Sequence, residues 1–168
     1  MRNSLTDPSA SVRQNVIDEL AAVLGMGRCV VFTIRETDGV SLCEIAAGIP
    51  REEYLRDFRE PSPLDAHPDL KAAVQNGRVL VIKHPESDER TAYFRGIIEA
   101  KDISEIAYIW FSIEEDSSAW VIVFDAVHGR SFTEDEIEFC SEAAELLGLL
   151  LGQERIMLQQ FRNAIATG

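Results

Sequence analysis

The chain has 168 residues, 46% of them apolar and 27% charged, the composition of one ordinary globular domain. Its 16 Lys and Arg stand against 29 Asp and Glu, a formal net charge of −13 that argues against a phosphate-binding nucleic-acid surface. No run reaches the ~18 apolar residues of a membrane span, and the polar start, Met1 to Ala10, lacks the basic and apolar regions of a signal peptide, so a cytoplasmic location is expected.

Residues 1–8 read as a frayed leader, and the leader segment 1–11 precedes the domain proper. Val12, Val16, Leu20 and Val23 then form one apolar stripe, predicting a helix over about 9–24 that Gly25 ends with a left-handed cap. Cys29 to Ile34 is rich in β-branched and aromatic residues and predicts a strand over 28–35. A second strand over 40–47 follows the turn Thr37-Asp38-Gly39, making an antiparallel hairpin.

Pro50, Pro61, Pro63 and Pro68 punctuate the next stretch. Short helices fit at 51–58 and 68–75, the second with Pro68 in its first turn and Asn76-Gly77 at its end. Arg51, Arg56 and Arg59 interleave with Glu52, Glu53, Asp57 and Glu60, which reads as a solvated face rather than a basic patch. A strand at 78–82, a polar loop from His84 to Arg90 and a helix at 91–100 follow.

Strands at 104–113 and 119–127 carry the most apolar runs in the chain, so both of their faces must be covered. Asp125 stands out there between Phe124 and Ala126; buried, it would need a partner such as Arg130 or His128. Thr133 and Glu136 form a capping box, with Phe132 and Ile137 as its hydrophobic staple. They start a helix at 134 that runs to about 162, roughly 40 Å.

These elements predict an α+β fold. A mainly antiparallel sheet has its terminal helices on one face and a helical insert, 50–103, over the other. The domain proper spans 12–150. Residues 151–168 extend the last helix, and Leu150, Met157 and Phe161 lie beyond the reach of a small sheet. With Val12 and Leu158 they are candidates for a homodimeric helical bundle.

The order of elements and its local words resemble the GAF domain family. The words are Ile106 to Ile113, Trp120 to His128, Arg130-Ser131-Phe132-Thr133-Glu134-Asp135-Glu136-Ile137, His67-Pro68-x-Leu70, Gly77 to Ile82, Asp88-x-Arg90 and Asp102-Ile103. The resemblance covers about 12–161. It departs at Glu114 to Ser118, where the family's glycine-containing turn is absent.

The resemblance implies a regulatory domain whose small ligand lies between sheet and insert. By position the candidates are His67, Tyr93, Phe94, Arg95, Tyr108 and Trp110. Aromatic bodies supply area and an Arg clamps a carboxylate or phosphate; the alternative is that these aromatics are core and Arg95 solvated.

The family's chemistries find little support. The cyclic-nucleotide signature Asn-Lys-x-Phe-x-x-x-Asp-Glu is absent. None of Cys29, Cys43 and Cys140 precedes a His, as a bilin-attaching cysteine often does. The insert holds no cysteine for methionine sulfoxide reduction, and no C-x-x-C suggests zinc. His67, His84 and His128 are the only histidines; His67 at a helix start suits capping better than iron.

No catalytic residue, metal or cofactor is therefore expected. Two functions stand: a sensor that shifts the population of a helical dimer and drives a fused or separate output domain, or a ligand-free dimerisation module. No nucleic-acid or membrane partner is expected. A filled cavity would favour the second.

Overall fold

The computed structural model describes residues 8–48, 61–113 and 116–167. Helix α1 (Pro8–Leu24) leads to the hairpin β1 (Arg28–Thr37) and β2 (Val40–Ala47). A short strand β3 (Ser62–Pro63), a 3-10 turn (Leu64–Ala66), α2 (Pro68–Asn76), β4 (Val79–Ile82), a 3-10 segment (Glu89–Phe94) and α3 (Arg95–Lys101) make up the described part of the insert. Strands β5 (Ile103–Phe111) and β6 (Ala119–Val127) and helix α4 (Glu134–Thr167) complete the chain.

The six strands form one sheet in the order β3-β2-β1-β6-β5-β4, antiparallel at every pairing. Asp38 and Gly39, with φ of 53° and 75°, make the two-residue turn of the first hairpin. The sequence gives no hint of β3. Prolines disfavour strands, but Pro63 pairs with Leu42 at a sheet edge, where no inward N–H is required.

Alternation along the central strands sorts their side chains into two cores. Val31, Ile109, Phe111, Ile122 and Phe124 face α1 and α4 and pack on Ile17, Cys140, Ala144, Leu147 and Leu151. Val30, Phe32, Ile106, Tyr108, Val121 and Val123 face the insert and pack on Leu70, Ala73, Phe94 and Ile98. A bulge between Ile103 and Glu105 breaks the alternation. It puts Ile103 in the insert-side core and leaves the Glu105 carboxylate to accept the Phe132 N–H at 2.8 Å.

The capping box forms: Thr133 Oγ accepts the Glu136 N–H at 3.2 Å, and Glu136 accepts the Thr133 N–H at 3.0 Å. Phe132 and Ile137 both pack against the α1–α4 core. Burial of α4 continues through Leu151 and Gly152, so the packed domain does not end at 150. At 34 residues the helix is about 51 Å long, and most of its last four turns is exposed.

Two further expectations change. The helix predicted over 9–24 forms as α1 from Pro8, so residues 9–11, set before the domain boundary, are helical. The segment predicted as a helix at 91–100 begins as a 3-10 stretch and becomes α-helical only at Arg95. The predicted helix at 51–58 and leader residues 1–7 lie outside the described residues. Among those described, no helix is long and apolar enough to cross a membrane.

Candidate functional site

The insert side of the sheet carries a buried polar cluster centred on Asp69, a residue that sequence reasoning missed. Pro68 starts α2, and an acid in the first turn of a helix reads as an ordinary favourable charge on an exposed end. Here that turn points into the sheet, and Asp69 is only 3% exposed. Tyr93 donates its hydroxyl to Asp69 Oδ1 at 2.8 Å, and Tyr108 donates to Oδ2 at 2.6 Å.

His67 lies beside this pair. Its Nε2 is 2.6 Å from Ser62 Oγ, and Cys43 Sγ is 3.6 Å further along the same polar chain. Its ring meets Tyr93 edge-on, with centroids 5.2 Å apart, and Tyr93 meets Phe94 at 4.7 Å. The side chain of His67 makes no capping bond to α2, contrary to the simpler role expected of it, because the ring turns toward Ser62. At the rim, Arg90 forks onto Asp88 at 2.9 and 2.7 Å.

Burial sets the protonation states. It pushes the Asp69 carboxyl above its ordinary value, against the opposing pull of the two phenol hydrogen bonds. It lowers His67, with the nearby Asp69 charge opposing, so the imidazole is neutral at pH 7. Burial first and the Asp69 charge second raise Tyr108 far up. The Cys43 thiol is likewise raised by burial, and Cys140 is pushed to about 11 by burial and by Glu136. The cluster is therefore a set of hydrogen-bonding groups, with a protonated thiol at Cys43 and donating phenols rather than an activated nucleophile.

Of the candidate residues, the structure brings together His67, Tyr93, Phe94 and Tyr108. Phe94 and Tyr108 are buried, as core aromatics are, while Tyr93 is 42% exposed. Arg95 heads α3, half-buried, and its Nε is shielded from solvent with no hydrogen-bond partner. Trp110 does not join them. Near the end of β5 and 37% exposed, it lines a cleft of about 990 Å³ with Arg78, Val79, Glu145, Leu149 and Ile156. That cleft runs between α4 and the edge of the sheet, not between sheet and insert.

Asp125 is 1% exposed, but neither expected residue is its partner. Arg130 reaches Leu24 O at 2.8 Å and pairs with Glu136, tying the end of α1 to the start of α4, while His128 pairs with Asp102 at 3.0 Å. Among the described residues, no three His, Cys, Asp or Glu side chains group to hold a metal ion.

Of the dimer candidates, Leu150 (44% exposed), Met157 (69%), Leu158 (42%) and Phe161 (65%) lie on the outside of α4. Val12 falls on α1, where its side chain lies outside the description.

The GAF domain profile matches residues 11–151. Among solved structures, the blue-light absorbing form of a PixJ GAF domain from Thermosynechococcus elongatus is 15% identical, with a TM-score of 0.64 over 92% of this chain and 90% of that one. A GAF domain/HD domain protein from Geobacter sulfurreducens is 15% identical, with a TM-score of 0.65 over 88% and 97%. The phycoerythrobilin-bound GAF domain of a cyanobacterial phytochrome is 15% identical, with a TM-score of 0.62 over 89% and 88%. No curated protein matches the chain. With a family match over most of its length and the same fold throughout, the chain belongs to the GAF domain family.

Proposed function

We propose that this domain is a non-catalytic signal-input module of the cytoplasm, which binds a small molecule beneath the insert and acts through a homodimeric bundle of its terminal helices on a fused or separate output domain. The observation that carries the reading is the outer face of α4. Phe139, Ala143, Leu146, Leu150, Gln153, Met157, Gln160 and Ala164 follow one another at alternating spacings of four and three, the repeat of a coiled-coil seam. That seam is distinct from the stripe of Cys140, Ala144, Leu147 and Leu151 that packs on the sheet. Phe139, Leu146, Leu150 and Met157 are all exposed, an arrangement that a second copy would bury.

The polar cluster favours ligand binding, since converging donors and acceptors beneath a helical cover are what orient a small molecule. The same cluster also supports a second reading. Tyr93 and Tyr108 already satisfy both oxygens of Asp69, as in a ligand-free dimerisation module.

Native mass spectrometry of the purified protein separates the two. A dimer with added non-covalent mass supports the sensor, and a dimer at bare mass supports the module. The double variant Met157→Lys, Phe161→Lys is expected to be monomeric, and an unchanged dimer would remove the helical-bundle reading.

A further inference from the structure

Asp69 is the only described carboxylate held by two phenols, and Arg90 meets its charge only from a distance. Lys71, two residues on, is committed to Asp65 at 2.6 Å, and Arg90, which feels the Asp69 charge from a distance, to Asp88 at 2.7 Å. Among the described residues no Lys or Arg nitrogen pairs with Asp69. The phenols supply hydrogen bonds but no countercharge, and a buried carboxylate without one is costly.

The two phenols are not equivalent. Tyr108 is 1% exposed and fixed in strand β5, whereas Tyr93 is 42% exposed while its hydroxyl reaches a carboxylate that is 3% exposed. Tyr93 thus spans from solvent to Asp69 Oδ1. Its ring fills the space between the ring edges of His67 and Phe94.

We infer that Asp69 anchors a small organic cation with N–H donors on a short arm of an aromatic body, which binds by displacing Tyr93. The inference rests on the reading of the domain as ligand-binding and names the chemistry of that ligand. An ammonium group replaces the Tyr93 hydroxyl on Oδ1 and supplies the missing charge, while the Tyr108 hydroxyl stays on Oδ2. The body of the ligand takes the place of the Tyr93 ring, against Phe94 and His67. The net charge of −13 attracts cations and repels anions.

Three probes of one shape test it: phenethylamine, 2-phenylethanol and phenylacetate, titrated by calorimetry into the full chain. Phenethylamine is expected to bind at least about tenfold more tightly than the other two, a difference of about 1.4 kcal/mol. Tyr93→Phe, which removes the competing hydroxyl, should bind it more tightly than the wild type. Asp69→Asn, which keeps the shape and an acceptor, should lose it. Equal binding of the three probes, undiminished binding by Asp69→Asn, or no binding of phenethylamine to either the wild type or Tyr93→Phe overturns the assignment. The comparison of probes on the wild type stands even if a variant fails to fold. A neutral or anionic molecule retained in the native mass spectrum, with no amine binding, would overturn the cation and leave the sensor standing.

Discussion

Gly148 is where α4 comes closest to the sheet, and substituting it sets two effects of opposite sign against each other. A Cβ there would lie 2.6 Å from Ser112 O and 3.2 Å from Phe111 Cδ2. The first contact is backbone at the end of β5 and cannot rotate away. Helix propensity alone predicts that Gly148→Ala stabilises by about 1 kcal/mol. Overpacking against a fixed partner costs about 1–3 kcal/mol, so the net expectation is a loss of up to about 2 kcal/mol. For a chain of this size that lowers Tm by up to about 8 °C in a calorimetric or circular-dichroism melt. Gly96→Ala is the control: it sits in α3 with nothing within 4 Å of a Cβ, and is expected to raise Tm slightly. A Tm for Gly148→Ala at or above wild type would refute the claim that this contact sets the depth at which α4 docks.

Two other predictions follow from single groups. Burial raises the Asp69 carboxyl, so the folded state holds its proton more tightly than the unfolded state does. The wild type should therefore lose stability as pH rises from the ordinary carboxylate range through the raised value. Asp69→Asn lacks that contribution, so its Tm relative to wild type should rise from pH 4 to pH 7; a constant difference would contradict the burial of a titrating carboxyl. Thr133→Ala removes the side-chain acceptor of the capping box and should cost about 1 kcal/mol, read as a lower urea midpoint at unchanged slope.

The fold was legible wherever a local rule and the tertiary structure agree. The Thr133/Glu136 box, the Asp38-Gly39 turn and the unbroken apolar runs of β5 and β6 each state a local conformation that packing has no reason to override. The site was less legible. Asp69 has the sequence setting of a surface acid, and only the direction in which α2 enters the sheet makes it a buried centre. Trp110 failed for a geometric reason. It shares the insert-facing parity of Tyr108 but lies two residues nearer the end of β5, about 7 Å along the strand, which carries it past the insert to the cleft beside α4. Strand β3 and the bulge at Ser104 depend on what lies opposite them, which no local pattern records.

Strand β5 joins the two regions on which the functional reading depends. Tyr108 faces the insert and holds Asp69, while Phe111, three residues on and facing the other way, meets α4 at Gly148. Beyond the strand, Asp116 accepts from Trp120 Nε1 at 3.2 Å and pairs with Arg155 of α4 at 2.6 Å, so the hairpin end is fastened to the helix two residues before exposed Met157 and six before exposed Phe161. A tightly packed strand cannot shift one face without the other. Any ligand that changes how Tyr108 sits on Asp69 therefore acts on the strand that sets the position of α4. This is spatial continuity, and coupling in the energetic sense requires that α4 have two arrangements for the ligand to choose between. In the proposed dimer the seam would supply the means, because a helix face exposed in one copy and covered by a second would have two states that differ in burial. A sensor built on this fold would report through the dimer equilibrium, and ligand affinity would depend on protein concentration by the same linkage.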